Sequence, residues 1–313
     1  MRLVFLGSPA FAVPTLERLV ESGARVLEVV TQPDRPRGRG QQPAAPPVKE
    51  AALRLGLPVY QPERVRRPEA VDWLRTLAPD AMVVVGYGQI IPQAVIDIPR
   101  FGIINVHASL LPKYRGAAPV QWAIANGETR TGVTTMRIDA GLDTGDVLLT
   151  AETGIGLAET AVELGDRLAA MGADLLIRTL EGIEAGSLIA RKQDPAEATH
   201  APLLKKEDGR IDWNLPAQAI HNRVRGFQPW PGAYTTFRGQ TLRISKSRVA
   251  AASSLAGRAA GELASLTPPV VSCGSGALEL IEVQLEGRRR MSAADFANGH
   301  RLTENDFLGE PRT

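Results

Sequence analysis

The stretch "GIINVHASLLPKYRGAAPVQWAI", residues 102–124, reads as a buried strand, a turn broken by proline and then a helix. Its first part is apolar on both faces, which is typical of a strand covered by helices on each side. Asn105 and His107 are two residues apart there, so their side chains are predicted to project from one face. A donating amide beside a group that exchanges protons near neutral pH suits acyl transfer. For an isolated pair, hydrogen bonding to the backbone at the strand end is the favoured interpretation.

Outward from this strand, the first half of the chain alternates apolar runs with helical patterns. Strands are predicted at residues 2–7, 26–32, 80–88, 102–109 and 132–138, and helices at 11–22, 47–56, 68–77, 90–96 and 118–126. This alternation predicts an α/β fold with a Rossmann-like, doubly wound and mainly parallel sheet, whose ligands lie beyond the carboxyl ends of the strands. The first turn, "GSPAFAVP", lacks the second and third glycines of a dinucleotide fingerprint, so a nicotinamide cofactor has little support.

The pattern changes in the second half of the chain. After a long predicted helix at residues 159–184, residues 190–206 have mixed charge and no sustained periodicity, as expected of a linker. A short predicted helix at 216–225 is followed by closely spaced strand-length runs with glycine turns, which predict a small OB-like β-barrel. We therefore predict a catalytic domain at residues 1–189, a linker at 190–206 and a β-barrel domain at 207–313.

The composition excludes several classes of protein. The chain has 313 residues, 44% of them hydrophobic, which allows a sizeable core and suggests two domains. No apolar run approaches the roughly 18 residues of a membrane helix, and the apolar part of the opening is too short for a secretory signal, so we expect a cytoplasmic protein without membrane contact. The lone cysteine, Cys273, excludes an internal disulfide, and its neighbouring glycines predict a buried turn residue. His200, His221 and His300 are far apart, and metal-binding spacings such as HExxH are absent, so we expect no metal.

A second polar segment is the glycine-rich loop "RIDAGLDTGDVL", residues 137–148, which follows another predicted strand. It carries Asp139, Asp143 and Asp146, and an adjacent strand end could bring one of these carboxylates to the imidazole, where it would orient the ring. Spacing alone does not choose among the three, because aspartates near glycine often form turns. Neither a GxSxG elbow nor a catalytic cysteine motif is present, which favours direct transfer over a covalent enzyme intermediate.

Basic residues are concentrated in two segments, although the formal net charge is only +2. Residues 210–258 contain eight basic side chains and one acidic side chain, a balance of +7 that suits a polyanion. Scattered arginines on a solvated barrel surface explain that segment equally well. The loop "PDRPRGRG" places Arg35, Arg37 and Arg39 among glycines, and taken alone it is best interpreted as a mobile, exposed basic loop. Such a loop could also order against RNA, with guanidinium groups reaching phosphates or guanine edges.

These motifs together resemble those of the 10-formyltetrahydrofolate-dependent formyltransferases. "NVHASLLPKYRGAAPVQWAI" followed by "GLDTGDVL" matches that family in order and separation. Over nearly its whole length the chain is most similar to the members that act on methionyl-tRNA. "TQPDRPRGRGQQPAAPPVKEAA" matches their insertion after the second strand, and "RIDWNLPAQAIHNRVRGFQPWPGAY" matches the start of their carboxyl-terminal, tRNA-binding barrel domain.

The resemblance implies a role for each group of residues. The implied catalytic group is Asn105, His107 and Asp143. The implied folate-binding residues are Ser109, Leu110, Leu111 and Pro112 of the "SLLP" motif, with Tyr87, Gln89, Ile90, Ile91 and Asp139 around the pterin. The implied tRNA-binding residues are Arg35, Arg37 and Arg39, with Arg39 foremost, and the backbone-directed Arg223, Arg225, Arg243, Lys246 and Arg248. The implied reaction is transfer of the formyl group of 10-formyltetrahydrofolate to the α-amine of initiator methionyl-tRNA. We expect the protein to act as a monomer, since two lobes can hold one tRNA.

Three other functions remain open at this point. A sugar-nucleotide formyltransferase shares the catalytic motifs but has no need of a polycationic insertion. A formyl-folate hydrolase would send water to the same carbon, and is usually attached to a much larger chain. A non-catalytic RNA-binding protein would not need intact Asn105, His107 and Asp143.

Overall fold

The structure is a computed structural model that describes residues 1–37, 42–251, 258–304 and 306–309. The strands are β1 Arg2–Gly7, β2 Arg25–Val30, β3 Arg35–Arg37, β4 Gln42–Ala44, β5 Val59–Tyr60, β6 Ala81–Val85, β7 Ile103–His107, β8 Arg115–Gly116, β9 Arg130–Arg137, β10 Val147–Gly154, β11 His200–Ala201, β12 Ala233–Phe237, β13 Gln240–Val249, β14 Leu263–Leu266, β15 Pro269–Ser272, β16 Ala277–Leu285 and β17 Met291–Ser292. The helices are α1 Val13–Glu21, α2 Pro47–Arg54, α3 Pro68–Thr76, α4 Gln93–Ile96, α5 Pro119–Ala125, α6 Ala161–Glu184, α7 Ala217–Gly226 and α8 Ala293–His300.

The chain forms two compact units whose segments interleave in sequence. The first unit contains residues 1–116, 130–154 and 165–201. The second contains residues 117–129, 155–164 and 202–313. None of the described helices is both long enough and apolar enough to cross a lipid bilayer.

A seven-stranded sheet in the order β10-β9-β7-β6-β1-β2-β5 forms the centre of the first unit. The strands from β7 to β5 pair in parallel, whereas β9 pairs antiparallel to β7 and β10 antiparallel to β9. The predicted mainly parallel, doubly wound sheet is therefore confirmed. The chain moves from β1 outward to β2 and β5 and then returns to β6 on the other side of β1, so the order of strands reverses between β1 and β6. Ligands of open α/β sheets bind at such a reversal, outside the carboxyl ends of the strands.

The two faces of this sheet are covered by different helices, as the doubly apolar strands predict. Ile104 and Val106 of β7 belong to the core that contains side chains of α1, α2 and α6. Gly172 of α6 packs so closely that a Cβ there would lie 2.7 Å from Val106 Cγ1. Ile103 belongs to the opposite core, with side chains of α3 and α4. The alternation of the strand therefore places polar residues on the α3 and α4 face at its carboxyl end.

The β strands of the second unit form an antiparallel sheet in the order β12-β13-β16-β15-β14, with β17 paired to β16. Helix α7 contributes Ile220 and Val224 to its core, which also contains the inward residues of β13 and β16. The segment at residues 307–309 bonds to both outer strands: Gly309 N–H donates to Thr236 O, and the Leu308 N–H donates to Gly261 O just before β14. The sequence predicts a small β-barrel here, and the structure confirms a carboxyl-terminal β domain whose strands pair antiparallel. Cys273 is buried in its core, as the sequence predicts, and burial raises the pKa of its thiol to about 12.

Two buried hydroxyl groups in the first unit give a matched test of polar burial. Tyr87 is almost fully buried, and its Oη has no hydrogen-bond partner within the described parts of the chain. Thr134 is fully buried, but its Oγ1 donates to Ser109 O (2.7 Å) and accepts from the Leu111 N–H (3.2 Å).

We expect Tyr87→Phe to leave the free energy of unfolding unchanged or to raise it by about 1 kcal/mol, because it removes a buried polar group that nothing satisfies. Thr134→Val should lower it by about 1–3 kcal/mol, because it leaves two backbone groups unpaired. Urea denaturation followed by circular dichroism measures both. Equal destabilisation by the two variants would contradict this account of the core.

Candidate active site

The carboxyl end of β7 places Asn105 and His107 side by side. Asn105 is 9% exposed and His107 is 6% exposed. β6 and β9 flank the strand on its two sides, with Asn105 in register with Val84 and Met136, and His107 in register with Thr134. The Asn105 amide makes no hydrogen bond with any residue that the structure describes, so it can donate to another molecule.

Both ring nitrogens of His107 face oxygen atoms of the protein. Nε2 lies 2.9 Å from Tyr114 O, and Nδ1 lies 3.7 Å from Asp143 Oδ2. Because a carbonyl oxygen can only accept, Nε2 must carry a hydrogen and donate it. Tyr114 has a left-handed backbone, with φ of 61°, in the turn that follows "SLLP". A ring with hydrogens on both nitrogens keeps the hydrogen bond to Tyr114 O and forms an ion pair with the Asp143 carboxylate.

The structure brings one of the three loop aspartates to the histidine. Asp143, at a left-handed φ of 52°, accepts the Gly116 N–H on Oδ2 (2.8 Å), the same oxygen that faces His107. Asp139 Oδ1 instead accepts the Gly141 N–H (3.0 Å) and the Thr144 hydroxyl (2.7 Å), so it closes a turn within the loop. The described hydrogen bond of Asp146 uses its backbone carbonyl, which accepts from Arg137 N.

The loop reaches His107 by an indirect route. Since β9 runs antiparallel to β7, the loop leaves the sheet opposite Ile104 and folds back to the imidazole. Gly145 makes this possible: a Cβ there would overlap Arg137 O.

The "SLLP" residues form the turn directly after β7. Ser109 is fully buried, and its Oγ donates to Lys113 O (2.6 Å). Leu111 packs in a small apolar cluster with Met136 and Val147, while Leu110 and Pro112 are partly exposed. Thr134 joins the turn to β9 through its two hydrogen bonds, and sequence reasoning missed it because a threonine inside a strand carries no motif.

The residues around Tyr87 lie at the reversal point of the sheet. The Tyr87 carbonyl accepts from Gln32 Nε2 (3.0 Å) and from the Ser8 hydroxyl (3.4 Å), which joins the loops after β1, β2 and β6. Burial raises the pKa of the Tyr87 phenol. The Gln89 side chain accepts from Val65 N (2.8 Å) and so holds a neighbouring loop.

The isoleucines of this segment differ in exposure. Ile90 is 90% exposed, whereas Ile91 packs against the core that contains Tyr87. Ile90 is therefore the side chain of this segment that is most available to a ligand.

The basic residues of the insertion lie partly in the described hairpin of β3 and β4. Arg35 is exposed and forms an ion pair with Glu63 at 3.3 Å. Arg37 is the last residue of β3, and Arg39 lies outside the described residues.

The basic residues of the second unit differ in what they contact. Arg243, Lys246 and Arg248 are exposed along β13. The Arg248 guanidinium is paired with Glu279 of β16 at 2.7 Å, and Lys246 is in register with Glu282 of the same strand. Arg223 lies with its guanidinium 5.8 Å from the ring centroid of Phe227.

Arg225 differs from these residues because it is only 7% exposed. Its guanidinium donates to Gly156 O (3.1 Å), Glu159 O (2.9 Å) and Asn222 Oδ1 (2.9 Å). Burial lowers the pKa of this arginine. These bonds hold the loop before α6 and keep the guanidinium away from solvent. Arg225 therefore does not contribute to a surface for RNA.

Comparisons with known proteins agree on one family. Residues 1–180 match the model of the formyl transferase domain, and residues 203–301 match the formyl transferase C-terminal domain. A protein of Solibacter usitatus (strain Ellin6076) named methionyl-tRNA formyltransferase is 69% identical over 310 residues, which cover 99% of this chain and 99% of that protein. This chain belongs to the methionyl-tRNA formyltransferase family.

Solved structures share the fold at low sequence identity. WlaRD, a sugar 3N-formyl transferase solved in the presence of dTDP and 5-N-formyl-THF, has a TM-score of 0.67 and 18% identity, and the match covers 92% of this chain and 99% of that chain. HypX from Aquifex aeolicus in complex with tetrahydrofolic acid has a TM-score of 0.65 and 17% identity, and the match covers 99% of this chain and 51% of that chain. These likenesses show the fold alone, whereas high identity over the full length places this chain among the formyltransferases that act on methionyl-tRNA.

Gly116 and Gly102 of the first unit both have a positive φ, but only Gly116 contacts the site. Alanine substitutions at the two positions therefore distinguish the effect of backbone strain from the effect on the site. Gly116 donates its N–H to Asp143 at a φ of 121°, and a Cβ there would lie 2.6 Å from Ala201 O. Gly102 has a φ of 78° and no heavy atom within 4 Å of such a Cβ.

We expect Gly102→Ala to cost about 1–3 kcal/mol of stability through its backbone conformation, with formylation unchanged at a temperature where the protein is folded. Gly116→Ala should cost more stability and should also lower kcat, because the clash moves the N–H that holds the Asp143 carboxylate. Thermal unfolding and steady-state formylation measure the two effects. A Gly116→Ala enzyme with normal kcat would show that this N–H does not position Asp143.

Proposed function

We propose that Asn105, His107 and Asp143 carry out the formyl transfer of this enzyme, from 10-formyltetrahydrofolate to the α-amine of initiator methionyl-tRNA. The observation that supports this assignment is the position of the Asp143 carboxylate against the imidazole of His107, with the Asn105 amide on the same face of β7. An amide can donate to the oxyanion that amine attack on a formyl carbon creates, and an imidazole paired with a carboxylate can exchange the protons.

The reaction proceeds by direct attack of the neutral amine on the formyl carbon. The carbonyl oxygen gains negative charge as the carbon becomes tetrahedral, and the Asn105 amide donates to this oxygen. Donors that are fixed in advance stabilise such a charge by several kcal/mol. His107 can supply a second donor if its Nε2–H leaves the Tyr114 carbonyl and binds the oxyanion instead. The other ring nitrogen, Nδ1, faces Asp143.

Two protons move during the transfer. The attacking nitrogen loses one proton as its bond to carbon forms, and the folate nitrogen gains one as its bond to carbon breaks. Asp143 holds the ring of His107 in position, so that the pair can accept the first proton and supply the second, directly or through a water molecule.

The folate is proposed to bind between the "SLLP" turn and the segment after β6. The partly exposed Leu110 and Pro112 offer an apolar surface at the end of β7, supported from beneath by the buried Leu111, and the exposed Ile90 offers another. Ser109, Tyr87, Gln89 and Asp139 shape this site through the bonds and packing that hold their loops, together with Ile91.

The tRNA is proposed to contact the two basic regions. Arg35, Arg37 and Arg39 of the insertion suit the acceptor end, where guanidinium groups reach phosphates and base edges. Arg223, Arg243, Lys246 and Arg248 suit the phosphate backbone, which gives affinity with little sequence discrimination. We also propose that the enzyme acts as a monomer in the cytoplasm, where translation takes place.

The competing acceptor is an amino-sugar nucleotide, which the likeness to WlaRD brings into consideration. Purified protein is offered 10-formyltetrahydrofolate with either charged initiator tRNA or an amino-sugar nucleotide, and the formylated product is identified by mass spectrometry. We expect formylmethionyl-tRNA alone. A formylated sugar nucleotide would overturn the proposed acceptor.

Substitutions in the catalytic group test the assigned chemistry. His107→Ala should lower kcat by about 100- to 10,000-fold, because it removes the proton carrier. Asp143→Asn should cost about 10- to 100-fold, because the amide can still accept the Gly116 N–H but no longer holds the ring by charge. Both variants should bind tRNA normally in a filter-binding assay. Unchanged formylation by His107→Ala would refute the mechanism.

The basic residues of β13 are tested by the dependence of tRNA binding on salt. Loss of one phosphate contact reduces the slope of log K against log salt by about 1. We expect this reduction for Arg243→Ala and a smaller one for Arg248→Ala, because Glu279 already neutralises Arg248. Arg54→Ala on α2, which is assigned no contact with RNA, serves as the control. Equal slopes for all four proteins would contradict a role for β13 in RNA binding.

The insertion is tested separately through Arg39. Arg39→Ala should weaken use of charged tRNA while leaving the KM for folate unchanged, because the loop is assigned to the tRNA alone. Initial rates at varied concentrations of each substrate measure this split, and equal damage to both would count against the assignment.

A further inference from the structure

Gln193 contacts the aspartate loop at two points. Its Nε2 donates to Asp143 O (2.8 Å) and to Gly145 O (2.7 Å), so both hydrogens of the side-chain amide are used on this loop. The residue lies in the segment after α6, which the sequence predicts as a linker. Two residues earlier, the backbone of Arg191 exchanges a pair of hydrogen bonds with Val147 at 2.8 and 2.9 Å, which fixes this segment against the start of β10.

The other end of the Gln193 amide is held by a buried arginine. Arg115 is 8% exposed, and its Nε and Nη2 donate to Gln193 Oε1 at 3.0 and 2.8 Å. This fork fixes the orientation of the amide, because Oε1 must face the guanidinium and Nε2 must face the carbonyls. Arg115 directly precedes Gly116, whose N–H binds the Asp143 carboxylate. The same short strand, β8, therefore holds the side chain of Asp143 directly and its backbone through Gln193.

Asp143 needs such support from its surroundings. Its left-handed backbone costs about 1–3 kcal/mol in a residue other than glycine, and persists only where neighbouring groups impose it. The Gln193 amide binds the carbonyl of Asp143 itself and that of the second residue after it, so it bridges this strained turn.

We propose that Gln193 is a positioning residue for formyl transfer, which holds the Asp143 carboxylate against His107 through the backbone of residues 143–145 while Arg115 fixes its amide. This inference rests on the proposed catalytic role of Asp143. Gln193 itself contacts neither ring nitrogen of His107, so its effect on the rate passes through Asp143.

Two substitutions separate the contacts of Gln193. Gln193→Met keeps the length of the side chain and removes both donors and the acceptor. Gln193→Glu keeps an acceptor for Arg115 but replaces the two donors with an oxygen that repels the carbonyls. We expect both variants to lower kcat by about 10- to 100-fold, with the KM values for folate and methionyl-tRNA within about threefold of wild type. Gln93→Met, at an exposed glutamine of α4, is the matched control and should have no effect.

A double-mutant cycle gives a readout that a general loss of stability would not move. In an Asp143→Asn background, Gln193→Met should reduce kcat little further, because the carboxylate that it positions is already gone. Three outcomes would each overturn the inference. They are normal kcat in both Gln193 variants, normal kcat in Gln193→Glu alone, and full additivity with Asp143→Asn. If Asp143→Asn itself keeps normal kcat, the proposed catalytic group fails; if only the Gln193 variants keep it, the positioning role alone fails.

Discussion

The antiparallel pairing of β9 with β7 is the constraint on which the site depends. In a sheet with only parallel strands, the loops that follow neighbouring strands emerge at the same edge, and polar residues from each meet there. Here the loop after β9 starts at the opposite end and must return to His107. The return is possible only because Gly145 lies directly against the Arg137 carbonyl and Asp143 adopts a left-handed backbone. β8 and the segment before β11 then hold the returned loop from outside the sheet.

The sequence predicts the central strands and helices well. Strands covered on both faces are apolar throughout, and apolar residues recur every three to four positions in the helices. β10 was not predicted: its first residues follow a glycine-rich loop, and beyond Leu148 its exposed positions interrupt the apolar pattern. The side chains that can act on a substrate are visible in the motifs. The groups that hold them are not, because Tyr114 and Gly116 act through the backbone and Gln193 lies in a segment without periodicity.

Charge counted along the chain gives an incomplete picture of a surface. The balance of +7 over residues 210–258 leaves out β16, which lies beside β13 and carries Glu279 and Glu282. Antiparallel pairing sets these acids opposite Arg248 and Lys246, so part of the apparent positive field is neutralised across the ladder. Arg225 shows a second reason why the count along the chain overstates the surface charge. Its guanidinium is buried and donates to the backbone carbonyls of Gly156 and Glu159.

The last described residues of the second unit also have a protective effect. Residues 307–309 bond to Thr236 of β12 and to Gly261 before β14, and the Leu308 side chain is buried in the core. A chain shortened before Phe307 would leave the carbonyls of Thr236 and Gly261 without these partners and would expose the edges of the sheet to pairing with a second copy. Trimming this tail therefore favours self-association and insolubility.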